Sequence, residues 1–298
     1  MKKSALLLPL LLASATIFFS CGKDNDNENN GGSGSYAAPS RHLNKAIYSD
    51  GHIDSYGDTV TTEYRFSWDG DHLTKIDEYH VSSFERLDLT FNIEWDGEKV
   101  SKTTMNRPNS SPGNVTTFTY NGDQLVKSHS TYYDRDEGEK ESEILYEYAN
   151  GKICKITYPE ELTRGIPIDV TWNGNNVAAT SAMGYTAIEY TYDNKKNPLY
   201  LPMGVINYYT MEGTFWEGVN NSIGYLFYFS SQVGGNLFSF SASWSENNIV
   251  KITDYDGDEY NVEYIYDGDY PVSISRTYET EDEDKGTRTY KIQYYYND

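Results

Sequence analysis

Trp68-Asp69-Gly70-Asp71-His72-Leu73-Thr74-Lys75-Ile76 reads as an aromatic closing one strand, a tight turn, then an apolar residue and a lysine opening the next strand. The pattern returns as Trp95-Asp96-Gly97-Glu98-Lys99-Val100-Ser101-Lys102 and as Tyr120-Asn121-Gly122-Asp123-Gln124-Leu125-Val126-Lys127. Asp-Gly and Asn-Gly tips are strong hairpin signals, because both residues tolerate positive φ. The turn aromatics fall at 68, 95, 120, 148, 172, 192, 244 and 266. Apart from a jump of 52 residues between 192 and 244, successive copies lie 20 to 28 residues apart. That period holds two strands of roughly eight to ten residues and two turns.

Before each aromatic, apolar residues alternate with polar ones: Tyr64, Phe66, Trp68; Leu89, Phe91, Ile93, Trp95; Ile144, Tyr146, Tyr148; Val262, Tyr264, Tyr266. Period-two alternation means strands with one buried face. No segment offers a long amphipathic helix. Arg41-His42-Leu43-Asn44-Lys45 matches the second half of a unit, and Tyr290 to Tyr296 matches a first half. A chain with such ends can pair its terminal strands and hide both sheet edges. The expected fold is all-β: an antiparallel meander of about eighteen strands in repeated hairpins, closed into a barrel or flattened.

Residues 1–20 have a basic start at Lys2 and Lys3 and an apolar run from Ala5 to Phe19. The run is short for a membrane span, which needs about 20 apolar residues. It ends at Ser20 before Cys21 and resembles a bacterial lipoprotein signal peptide, with Phe18 and Phe19 where Leu and a small residue are usual. The resemblance implies cleavage before Cys21 and lipidation of that cysteine. With Cys21 so used, the two cysteines supply no disulfide framework. Residues 21–40 are an acidic and Gly-Ser tether without apolar periodicity. Lys23 followed by acidic residues is similar to the surface-export signal of Bacteroidota lipoproteins, which implies the outer face of the outer membrane. Residues 41–298 form one repeat-built β domain.

The hairpins resemble YD (RHS-type) repeats. Tyr190-Thr191-Tyr192-Asp193-Asn194-Lys195-Lys196-Asn197-Pro198-Leu199-Tyr200 is similar to a stretch of a Bacteroidota surface lipoprotein family of unknown function described as porin-like. The resemblance implies a barrel-like architecture at the cell surface and carries no catalytic residues.

The net charge of −21 argues against nucleic acid, whose phosphates would be repelled. The 29 tyrosines suit a sheet that packs rings while keeping hydroxyls wet. The repeat breaks between 193 and 243, where Asn197-Pro198 and Leu201-Pro202 cannot continue a central strand. Tyr208, Tyr209, Phe215 and Trp216 in that break are the candidate ligand-binding residues, since rings stack on sugar faces and long loops on a rigid sheet carry binding. The bland alternative is an ordered loop packed over a barrel mouth. Asp254, Asp256 and Asp258 resemble the front of a calcium loop, with oxygen ligands at alternating positions. The competing reading is an acidic hairpin turn, because the later bidentate Glu and the flanking helices are missing.

No catalytic constellation emerges. His42, His52, His72, His80 and His129 have no metal-site spacing, and Cys154 fills the slot of Thr74, Ser101 and Val126. There is no nucleophile elbow and no phosphate loop. The reading is a lipid-anchored, non-enzymatic surface protein that binds a glycan or a protein. The alternatives are a carbohydrate-active enzyme with unidentified acids and a structural or pore-associated envelope protein.

Overall fold

The computed structural model describes residues 40–49, 51–108, 113–134, 138–157, 167–182, 185–198, 200, 244–254, 257–279 and 287–297. The strands are β1 (Leu43–Ser49), β2 (Thr61–Asp69), β3 (His72–Val81), β4 (Glu85–Asp96), β5 (Lys99–Asn106) and β6 (Asn114–Asn121). They continue as β7 (Gln124–Asp134), β8 (Gly138–Ala149), β9 (Lys152–Thr157), β10 (Ile168–Asn173), β11 (Asn176–Ala182) and β12 (Tyr185–Lys196). The last are β13 (Asn247–Asp254), β14 (Glu259–Asn261), β15 (Glu263–Asp267), β16 (Tyr270–Glu279) and β17 (Thr287–Tyr296). All 17 belong to one sheet.

Apart from β14 and β15, consecutive strands pair antiparallel, and β1 pairs with both β2 and β17. The ends meet as the half-units predicted. An antiparallel ring needs an even number of strands, because directions alternate around it. The ring satisfies this because β14 and β15, separated only by Val262, act as one interrupted strand: β14 pairs with β13 and β15 with β16. The wall therefore holds sixteen strand positions. The 17 strands agree with the expected meander of about eighteen. The aromatics at 192 and 244 lie on β12 and just before β13, which pair directly from Ile188↔Asp254 to Lys196↔Asn247.

The tips behave as their residues dictate. Gly70 sits at φ 56°, where an L side chain is strained, and Asn150 takes the equivalent slot at φ 52°. Just past each regular tip the register slips by one residue, as between Ser67 and Trp68, where Trp68 faces Leu73 but Ser67 faces Lys75. Thr74 is the extra residue of this β-bulge, and its hydroxyl donates to the Ser67 carbonyl at 3.1 Å. The bulge explains why the buried residues after the turn are three apart, Leu73 then Ile76, and Ile153 then Ile156. Cys154 occupies the same bulge slot.

The apolar faces point to the inside. Tyr64, Leu73, Ile76, Leu89, Phe91, Ile144, Ile188, Ile252 and Ile292 join one buried cluster fed by strands all around the ring. A round barrel of sixteen strands would leave an open channel. Here side chains exposed by only 0–5% line the inward face, so that face is covered and not open to water. The buried tyrosines are not wetted as expected; the Tyr146 hydroxyl pairs with Ser128 Oγ at 3.2 Å inside the core. The outward face carries ion pairs between neighbouring strands, among them Lys102–Glu94 at 2.8 Å, Lys127–Glu143 at 2.7 Å and Lys251–Glu259 at 2.7 Å. Short turns crown one rim, the turn rim. The connections β1–β2, β3–β4 and β7–β8 lie at the other, the loop rim.

Candidate functional site at the interrupted rim

The turn aromatics form a ladder around the turn rim. Trp68 Nε1 donates to the Leu43 carbonyl at 2.9 Å, and Trp95 Nε1 donates to Leu73 at 2.9 Å. The Tyr120 hydroxyl donates to Val100 at 2.9 Å, Trp172 Nε1 to Ile153 at 2.7 Å and the Tyr296 hydroxyl to Pro271 at 2.7 Å. Tyr148 bonds the Leu125 backbone, and burial pushes its hydroxyl up to about 12. A cation or imidazole from the preceding unit lies on each of several rings. His42 stacks on Trp68 at 4.4 Å, His72 lies against Trp95 at 4.3 Å, and Lys152 Nζ sits 5.1 Å from the Trp172 ring. The repeat is thus a structural device: each ring satisfies a carbonyl of the neighbouring hairpin and is capped by it.

The ladder changes at β12–β13, where the tight turn is missing. Ser245 Oγ stands between Tyr192 and the Val177 backbone: it donates to the Tyr192 hydroxyl at 2.9 Å and accepts from the Val177 amide at 3.1 Å. The Ile249 carbonyl is met by the Tyr264 hydroxyl at 2.8 Å, two residues early. Tyr266, the turn aromatic, instead donates to Asp193 Oδ2.

Asp193 is the centre of the replacement. Its Oδ1 accepts the amides of Lys195 at 3.0 Å and Asn248 at 3.1 Å, and its Oδ2 accepts Asn248 Nδ2 at 3.3 Å besides Tyr266. Burial, then the bond to Asp193, holds the Tyr266 hydroxyl well above its ordinary value. Around this centre, amide side chains tie down both ends of the excursion. Asn197 donates its amide to Glu246 O at 3.0 Å and its Nδ2 to Ser245 O at 2.9 Å. Asn176 and Asn247 exchange two bonds, at 2.9 and 3.0 Å. The Glu246 carboxylate accepts Asn175 Nδ2 and Lys196 Nζ, each at 3.0 Å, and those bonds hold it below the usual carboxylate range.

A carboxylate that already accepts four bonds has little capacity left for acid–base work. The Asp193 cluster is a clamp. Asp193→Ala is expected to cost about 2–4 kcal/mol, because two backbone amides and a half-buried phenol lose their acceptor. Amide hydrogen exchange should show the loss concentrated at the end of β12 and the start of β13. Uniform loss around the ring would sink the clamp.

Most residues singled out from sequence fall elsewhere. Cys21, Tyr208, Tyr209, Phe215, Trp216 and Asp256 lie outside the described residues. Asp254 ends β13 and Asp258 is an exposed residue just before β14, at the loop rim. Among the described residues no group of three or more His, Cys, Asp or Glu is placed to hold a metal ion. Asp193, Asn248, Ser245 and Tyr266 were not picked out. The available signal was the loss of the Asp-Gly tip at 193–194, followed by asparagines at 197, 247 and 248.

No protein-family model matches the chain, and no curated protein matches it. Among solved structures it is similar to a porin-like protein from Bacteroides uniformis, with a TM-score of 0.50 and 14% identity over 86% of this chain and 98% of that one. A porin-like protein from Bacteroides vulgatus matches at 10% identity over 86% of this chain and 99% of that one, with a TM-score of 0.25. The likeness to the first is one of fold. It agrees with the closed ring of antiparallel strands described above.

Proposed function

We propose that the chain is a lipid-anchored protein of the outer membrane's outer face that works as a rigid, non-enzymatic binding barrel. The segment between Asn197 and Trp244 would carry the ligand, a glycan or a protein. One observation supports this most. Among the described residues, the ladder runs regularly around the rim and is rebuilt with a dedicated clamp where that segment leaves and returns. A copied unit departs from its pattern where another demand acts on it.

The wall itself is unsuited to lipid. A transmembrane barrel turns its apolar face outward, and charges at the bilayer midplane cost about 2–4 kcal/mol each. Here the outward face bears Lys127–Glu143 and Lys102–Glu94, and the apolar face is sealed inside. The protein in planar bilayers is expected to give no stepwise conductance.

Anchoring is supported by Lys2-Lys3, the apolar run and Ser20-Cys21. The intact mass of the mature chain reads the acyl groups on Cys21 directly. With an anchor, Cys21→Ala moves the protein from the membrane to the soluble fraction; continued membrane attachment would end the anchor reading. A glycan array probed with the Cys21→Ala chain tests binding. Replacing Tyr208, Tyr209 and Trp216 with Ala should then abolish any signal, and an unchanged signal would exclude that segment.

A further inference from the structure

We infer that the turn rim is the end of the barrel that faces the membrane, with the lipid headgroup layer as its neighbour; this rests on the anchor at Cys21. The chain joins the barrel at this rim and is fixed there. Ser40 Oγ pairs with the Tyr270 hydroxyl at 2.6 Å, and Arg41 Nη1 bonds Asp267 Oδ2 at 3.1 Å. The Asn297 amide donates to the His42 carbonyl at 2.9 Å, so the last strand seals the same point. The tether therefore has a defined origin on the β15–β16 turn. The clamp reaches that turn too, since Lys195 Nζ bonds Asp269 Oδ1 at 3.0 Å and the Lys196 amide bonds its carbonyl at 2.9 Å. Tether and excursion leave the barrel side by side.

Lengths decide the rest. Gly22 to Ser40 is 19 residues. A flexible Gly-rich chain of that length has a root-mean-square span of about 25 Å. The longest strands, β4, β8 and β12, have 12 residues each. At about 3.3 Å per residue and a tilt near 40°, they stand about 30 Å tall. The turn rim thus lies about one tether length from the bilayer, and the loop rim lies a further barrel height away.

Charge sets how closely the rim approaches. The tips expose carboxylates, with Asp71, Glu98 and Asp269 between 63% and 72% exposed. Their partners His42, His72 and Lys195 lie on the aromatic rings of Trp68, Trp95 and Tyr266. Against anionic headgroups these tips hold the rim off by about a Debye length, roughly 8 Å in physiological salt. The loop rim displays a different surface. Tyr56 is 82%, Ile53 59% and Phe84 56% exposed. The Tyr56 loop is held in shape by Asp54 Oδ1, which accepts the Tyr56 and Asp58 amides at 2.9 and 3.0 Å. In the inferred orientation this apolar knob points away from the membrane. A partner of the excursion then lies in the layer next to the membrane.

Quenching by spin-labelled lipid headgroups tests the orientation. A fluorescent non-natural residue replaces Asp123 at a turn tip or Phe84 at a loop tip of the full chain on vesicles. Quenching at 123 is expected to exceed that at 84 by at least threefold. Equal or stronger quenching at 84 overturns the inference, because it puts the apolar knob on the lipid. A second form, the Cys21→Ala chain held on nickel-chelating vesicles by six histidines inserted after position 21, should give the same contrast without acylation. A native chain that stays off vesicles overturns the anchor and this inference together. Loss of contrast in the histidine-tethered form overturns the inference alone.

Discussion

Trp172→Ala is expected to destabilise the domain by about 3–4 kcal/mol, within the range for truncating a large aromatic in a packed site. The ring does three things at once. Its Nε1 satisfies the Ile153 carbonyl at 2.7 Å, it stacks on Trp244 at 6.4 Å, and it carries Lys152 Nζ at 5.1 Å. Removing it leaves a carbonyl short of its donor and takes one side of the packing from Trp244, which immediately precedes the clamp residue Ser245. Trp172→Phe keeps most of the ring and loses the N–H. It should cost only about 1–2 kcal/mol, so the pair separates hydrogen bond from packing. Urea unfolding at constant m-value reads both. A Trp172→Ala protein within about 1 kcal/mol of the parent would mean the rung is ornamental and that the bulged hairpins hold the rim without it.

The hairpins were legible because their information is local. Asp69-Gly70 and the alternation Leu89, Phe91, Ile93 specify tip and strand within a few residues. Ring closure was legible from the half-units at Arg41 and Tyr290. The ladder was not, because its regular rungs join residues 19 to 25 apart, as Trp172 and Ile153 or Trp68 and Leu43 are. A constant offset exists in hindsight: the accepting residue is the apolar one just after the preceding tip. The clamp was illegible for another reason. Asparagine and serine at 176, 245, 247 and 248 look like ordinary loop composition, and only the register of β12 on β13 brings them together.

Which way the alternating faces point was the larger ambiguity. Apolar residues every second position suit a lipid-facing wall and a dry interior equally well. The other face decides it. Glu94 stands directly opposite Lys102 across β4 and β5, and such opposed charges recur where a bilayer would meet the wall. A fold shared with a porin-like protein is therefore compatible with a barrel that lacks a pore, because strand number and closure do not set what fills the ring. On the inward face Ile76, Ile252 and Ile274 are almost wholly buried.

Stability should fall as pH rises from about 4.5 to 8, and Glu78 should account for much of the fall. Glu78 faces inward, since its direct cross-strand partners Tyr64 and Leu89 are both buried core residues. Burial is the main cause that pushes its carboxyl from 4.5 up to about 7; Asp88 adds to the rise and Arg107 opposes it. The sign follows from proton counting. Between those values the folded chain holds a proton that the unfolded chain has released, so raising the pH favours unfolding. At about 1.4 kcal/mol per tenfold change in proton affinity, the full effect approaches 3 kcal/mol. Glu78→Gln keeps the shape without the charge. It should be more stable than the parent at pH 8 by about 2–3 kcal/mol, nearly equal to it at pH 5, and flatter between. The difference between the two profiles is the quantity to measure, because Glu246 and Glu143, both held low by their partners, lose stabilising charge only at more acidic pH. Parallel profiles would show that Glu78 reaches water and ionises like any surface acid. Arg107→Gln provides the opposite displacement, since removing the one opposing charge should enlarge the loss at pH 8.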